Sequence, residues 1–115
     1  QWPVQLRLVS PMAGFFDGAD LLLAADCSAF ARGDFHARYM KGKVTVIGCP
    51  KLDPVDYSEK LTEIFRLHNI RSVTLVRMEV PCCGGLERAV QKALAACGRP
   101  IPFESVTLSV RGEIL

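Results

Sequence analysis

Cysteine is the residue type with the greatest chemical reach in this chain, and its placement is uneven. Of the five cysteines among 115 residues, Cys82 and Cys83 are adjacent, Cys27 and Cys49 stand alone, and Cys97 lies within a helical pattern. An odd number cannot pair completely inside the chain, and a composition that is 50% hydrophobic supplies a core without disulfide staples. Such usage points to a reducing compartment, taken as the cytoplasm, and to metal or redox chemistry. Deprotonated, Cys27, Cys49, Cys82 and Cys83 form a thiolate set compatible with an iron–sulfur cluster or with zinc. Structural zinc sites usually draw on cysteine pairs roughly two to four residues apart. This chain lacks such pairs, so one [4Fe–4S] cluster suits the dispersed set better. Two alternatives stay open: direct use of Cys82 and Cys83 by a thiol-based redox or sulfur-transfer enzyme, and a structural zinc domain.

Thiols so far apart in sequence need a scaffold that gathers them. Short runs rich in β-branched residues and leucine predict strands at Val4–Val9, Leu21–Ala25, Lys43–Ile47, Ser72–Val80 and Ser105–Val110. Most are apolar on successive residues, the pattern of strands covered on both faces. Helical patterns fall between them. Asp53-Pro54 reads as a helix start, and Tyr57, Leu61, Ile64, Phe65 and His68 share one face beyond it. A second helix follows Gly84-Gly85, with Leu86, Ala89, Val90, Ala93, Leu94 and Cys97 facing inward and Gly98 closing it. A weaker helix spans Ser28–Met40, interrupted at Gly33. This alternation predicts a single α/β domain over residues 1–115. Its sheet is mostly parallel, of about five strands, with helices on both faces in a Rossmann-like three-layer arrangement. The connection between the first two strands is short for a parallel crossover, so the first is expected at an edge or irregularly joined.

In that arrangement Cys27, Cys49 and the Cys82-Cys83 pair each follow the carboxyl end of a predicted strand and precede a helix. Parallel strands end along one edge, where open α/β sheets bind ligands. The topology therefore predicts convergence. Gly48 permits a sharp turn before Cys49, and Pro50 stiffens the exit. Gly84 and Gly85 are expected to present backbone N–H groups to the site, and Lys51 to offset the charge of an anionic cluster. Helix N-termini near Cys49 and Cys83 would direct partial positive charge at the thiolates. Asp26 is expected to cap the helix after Cys27.

Three segments carry a resemblance: Ala25-Asp26-Cys27, Gly48-Cys49-Pro50-Lys51-Leu52-Asp53, and Val80-Pro81-Cys82-Cys83-Gly84-Gly85-Leu86. Together they resemble the C-terminal domain of a family of iron–sulfur proteins of the [4Fe–4S] ferredoxin type from anaerobic bacteria and archaea. The likeness extends from Gln1-Trp2-Pro3-Val4-Gln5-Leu6 to the terminal Gly112-Glu113-Ile114-Leu115. It implies an electron carrier more than an enzyme in its own right, with a ferredoxin module preceding this domain and a redox protein as its partner. A looser similarity links the tandem cysteines and Gly48-Cys49-Pro50 to the cluster-bearing small subunit of complex I and related hydrogenases, where the order of the motifs differs. Cys82-Cys83-Gly84 is also similar to the CCG motif of heterodisulfide reductases, which occurs there in pairs and here once.

The remaining sequence narrows the function classes. A net charge of +2 with a pI near 8.4 and no basic or aromatic stripe give no sign of a nucleic-acid partner. The apolar stretch Ala19–Ala25 is far too short for a bilayer, which takes about 20 residues, and no signal peptide is visible. The abrupt opening at Gln1-Trp2-Pro3 reads as that of a fragment or processed form. His36 and His68 lack a partner motif and read as structural or solvent-facing, and Cys97 reads as a buried small hydrophobe. Arg77 and Glu79 sit near the tandem cysteines without a distinctive pattern. No Rossmann glycine fingerprint, P-loop or Ser/His/Asp constellation is present.

Overall fold

The computed structural model describes all of residues 1–115. Its centre is β1, Asp20–Ala25, where Leu21, Leu22, Leu23, Ala24 and Ala25 are all buried. A strand buried on successive residues must be covered on both faces. It pairs in parallel with β2, Val44–Gly48, on one side and with β3, Ser72–Met78, on the other. Beyond β3 lies β4, Phe103–Leu108, again parallel, so the sheet order is β2-β1-β3-β4. The chain moves outward from β1 to β2, then crosses back to β3 and β4. Right-handed crossovers place the first connection on one face and the next two on the other. The first contains α1, Ser28–Ala31, and a π-helical turn at His36–Met40. The other two contain α2, Tyr57–Leu67, and α3, Gly84–Ala96, which pack against each other. The reversal of direction falls between β1 and β3.

Four strands are present where about five were expected. The predicted strand Val4–Val9 contracts to one parallel bridge, Gln5 to Ile47, at the edge of β2. Leu6 N–H donates to the carbonyl of Ile47, and Ile47 N–H to that of Val4, both at 2.8 Å. The chain then turns, because the N–H groups of Leu8 and Val9 both reach the carbonyl of Gln5. Leu6 and Val9 are buried by this turn rather than by a ladder. Lys60 Nζ from α2 secures it by donating to the carbonyls of Leu6, Arg7 and Val9 at 3.0, 3.1 and 2.9 Å.

The helices also depart from the expected bounds. Ser28–Met40 is split into α1 and the π-helical turn, and Phe35 and Tyr39 are buried between and within the two pieces. Helix α2 starts at Tyr57 instead of next to Asp53-Pro54. Asp56 is its cap and accepts from the Ser58 N–H at 3.0 Å. The Ser58 hydroxyl, which donates to the same carboxylate at 2.6 Å, and the Ser58 N–H hold the Asp56 carboxyl below the usual carboxylate range. Tyr57, Leu61, Ile64 and Phe65 form its buried face. Arg99 closes its far end, donating to the carbonyls of Phe65, His68 and Ile70 at 3.3, 2.8 and 3.3 Å. His68 is buried between the Asp17 carboxylate and the Pro11 carbonyl, a structural place. Cys97 is buried at the end of α3, and its thiol bonds to the carbonyls of Leu94 and Arg99.

Lys60→Met keeps the aliphatic stem and removes all three donors to the N-terminal turn. The expected result is a loss of about 1–2 kcal/mol, read as a lower urea midpoint at unchanged slope. An unchanged midpoint would contradict the role given to Lys60.

Candidate metal centre

The ladder sets where the strands stop. Ala25 of β1 lies opposite Gly48 of β2, and the Asp26 N–H still donates to the Gly48 carbonyl at 3.1 Å. Cys27 and Cys49 therefore leave the sheet side by side. On the other flank Ala24 pairs with Val76, and β3 runs on to Met78. After Val80 a single 3₁₀ turn, Pro81–Cys83, leads directly into α3. These three loops surround a cavity of about 380 Å³. Cys27, Cys49, Cys82 and Cys83 all line it, together with Gly48 and Met78. It opens at the carboxyl edge of the sheet, at the reversal between β1 and β3, where such folds bind ligands.

The thiols differ in exposure. Cys27 and Cys82 reach solvent, Cys49 is half-buried, and Cys83 is 6% exposed. Burial pushes the Cys83 thiol above its usual range, with Cys82 adding to the effect and the Met78 backbone and Arg77 opposing it. No three of the chain's Cys, His, Asp and Glu side chains come together as a site for a single ion. Phe30, at 93% exposed, and Val110, at 65%, flank the opening.

A second set of residues holds the Cys49 loop. The Cys49 N–H donates to the Tyr57 hydroxyl oxygen at 3.0 Å, and the Tyr57 hydroxyl donates to Asp53 Oδ2. Arg7 lies 3.6 Å from the other Asp53 oxygen. The ring of Tyr57 comes so close to Gly48 that a Cβ there would be 2.9 Å from the hydroxyl oxygen. Burial, reinforced by the bond to Asp53, keeps the Tyr57 proton in place well above the ordinary tyrosine range. Beside Cys27, Asp26 accepts from Gln5 Nε2 at 3.2 Å. Burial raises the Asp26 carboxyl, the Gln5 bond partly offsets this, and the charge of Asp53 adds to it.

Several expected roles fall away. Because α2 begins at Tyr57, no helix N-terminus adjoins Cys49; a turn there returns the N–H groups of Leu52 and Asp53 to the Cys49 carbonyl. Asp53 binds Tyr57 and caps nothing. Asp26 does not cap α1, whose N-cap is Cys27 without a side-chain bond. Lys51 is exposed on the turn and is absent from the cavity wall, as are Gly84 and Gly85. Gly85 serves packing: a Cβ there would lie 3.1 Å from Pro50 Cβ. A Cβ at Gly84 would meet Arg88 Nη1 at the same distance. The helix start beside Cys83 is present as expected, since α3 begins at the next residue. Tyr57 and Asp53 were missed as support for the site. Tyr57 reads as one more apolar-face position, and the only signal was an aromatic 8 residues beyond Cys49.

A family model described as a Rossmann-like domain matches residues 13–115. An uncharacterized protein of Archaeoglobus fulgidus is 35% identical over 115 residues, covering 99% of this chain and 81% of that protein. No solved structure matches. No helix is long and apolar enough to cross a membrane.

Gly48→Ala forces the new methyl group against a ring pinned at its hydroxyl. Overpacking of this kind should cost about 1–3 kcal/mol, measured by thermal or urea unfolding of the metal-free chain. Stability equal to that of the parent would contradict the close approach of Tyr57.

Proposed function

The chain belongs to the Rossmann-like domain family, and on that premise we propose that it is an electron-transfer domain holding one [4Fe–4S] cluster through Cys27, Cys49, Cys82 and Cys83. One observation carries this reading: three separate loops bring these four thiols, and no other cysteine, to the wall of a single cavity at the sheet's switch point. The donor set fits the group, being sulfur throughout. When bound, a cluster of this kind supplies reversible one-electron chemistry.

The chain's own residues suit that task. Met78 and Val80 contribute apolar wall, which lowers the local polarity around the thiolates. Helix α3 starts immediately after Cys83 and directs the positive end of its dipole toward the tandem cysteines. Cys27 and Cys82 lie at the surface, so electrons need cross little protein to reach a partner. The resemblance to ferredoxin-type iron–sulfur proteins favours a preceding ferredoxin module and a redox protein as the exchange partners, in the cytoplasm.

Two other readings draw less support. A structural zinc site usually draws on closely spaced cysteine pairs, which the chain lacks. A thiol enzyme using Cys82 and Cys83 would use that pair alone, and leaves the presence of Cys27 and Cys49 on the same cavity wall without a role.

Anaerobic reconstitution tests the reading. About four irons and four sulfides per chain are expected, in a brown protein. Cys49→Ser should lose most of the iron, and Cys97→Ser should keep it. Equal loss in the two variants, or a colourless protein with a reactive thiol pair, would overturn the assignment.

A further inference from the structure

The most constrained group near the cavity is one that lines no part of it. Tyr57 is 4% exposed at the first position of α2, and three neighbours fix its hydroxyl end. The Cys49 N–H donates to it, the hydroxyl donates to Asp53, and Gly48 lies flat beneath its tip. Asp53 is held in turn by Arg7 on the N-terminal turn, which Lys60 secures. The order of donors follows from chemistry. A backbone N–H can only donate, and the Asp53 carboxylate can only accept. The tyrosine oxygen must therefore accept from one and pass its proton toward the other.

We propose that Tyr57 is a positioning residue for Cys49: it occupies the Cys49 amide, withholding that donor from the sulfur-bound group, and it fixes the loop that presents the thiol. This rests on the cluster reading for its redox consequence, while the anchor itself stands without metal. N–H groups that donate to cluster sulfurs raise the reduction potential. Here one amide of the coordinating loop is bound to an oxygen and contributes nothing of the kind. Its release adds a donor beside the thiolate. The fold gives reason to regard this as specific. Cys49 follows the end of an edge strand, where its N–H has no ladder partner, and Tyr57 supplies one from a different element.

Tyr57→Phe removes one oxygen and keeps the ring that packs on Gly48, so the chain should fold. Two measurements test the proposal separately. In the metal-free protein, amide hydrogen exchange followed by NMR should show the Cys49 N–H protected in the parent. It should exchange roughly tenfold faster in the variant, the effect of one hydrogen bond. In the reconstituted protein, iron content should stay at the parent level while the midpoint potential moves to a more positive value. Ser72→Ala, which removes the hydrogen bond to Asp20 at the opposite, amino end of the sheet, should leave that potential in place and separates positioning from general loosening.

Equal exchange rates in parent and variant would overturn the anchor. A parent that holds iron and a variant with the same potential would overturn the tuning role and leave the cluster reading intact. A parent that binds no iron but loses Cys49 protection on substitution would remove the cluster reading and keep the anchor.

Discussion

The parallel hydrogen-bond register of β1 with its two neighbours is the constraint on which everything else depends. Ala25 stands opposite Gly48, and Ala24 opposite Val76. One slip in either ladder would send every side chain of that strand to the other face and carry its loop away from the others. The apolar run Leu21-Leu22-Leu23-Ala24, buried on both faces, fixes β1 at the centre of the sheet. Four thiols distributed from Cys27 to Cys83 are thus collected at one edge by core packing far from any of them. The reversal of chain direction between β1 and β3 then opens the crevice at the same place.

Behind the cavity the loops are held by polar contacts that the sheet cannot provide. The turn after β2 carries Cys49 with no helix adjoining it, and so depends on Tyr57, Asp53 and Arg7. The N-terminal turn reaches both flanks of the site, through Gln5 to Asp26 and through Arg7 to Asp53. The matched Rossmann-like region begins at residue 13, so these supports come from outside it. A general α/β scaffold and a local brace act together on the same two cysteine loops.

Much of this was legible from residue order. The apolar runs located β1 to β4 to within a few residues, and the position of each cysteine after a strand predicted the shared cavity. The inner face of α3 and the burial of Cys97 also followed from helical spacing. Other features were hidden for definite reasons. Val4–Val9 has the composition of a strand, but Leu8 and Val9 turn back onto Gln5 and Lys60 takes the carbonyls of Leu6, Arg7 and Val9, and no local signal marks a lysine so far along the chain as their partner. Asp53-Pro54 has the chemistry of a helix start, yet Asp56 competes as cap and Tyr57 draws Asp53 aside. Gly84 and Gly85 also pack closely against Arg88 and Pro50, a constraint that their place after the tandem cysteines does not reveal. Long-range polar partners leave no period in a sequence, which is why the brace escaped it.

The most direct measurement of the central claim is an EPR spectrum of anaerobically purified, dithionite-reduced protein. A fast-relaxing signal of a reduced cubane, integrating to about one spin per chain and absent before reduction, is the predicted result. A silent spectrum from protein that has been supplied with iron and sulfide, together with zinc or no metal on elemental analysis, would contradict it.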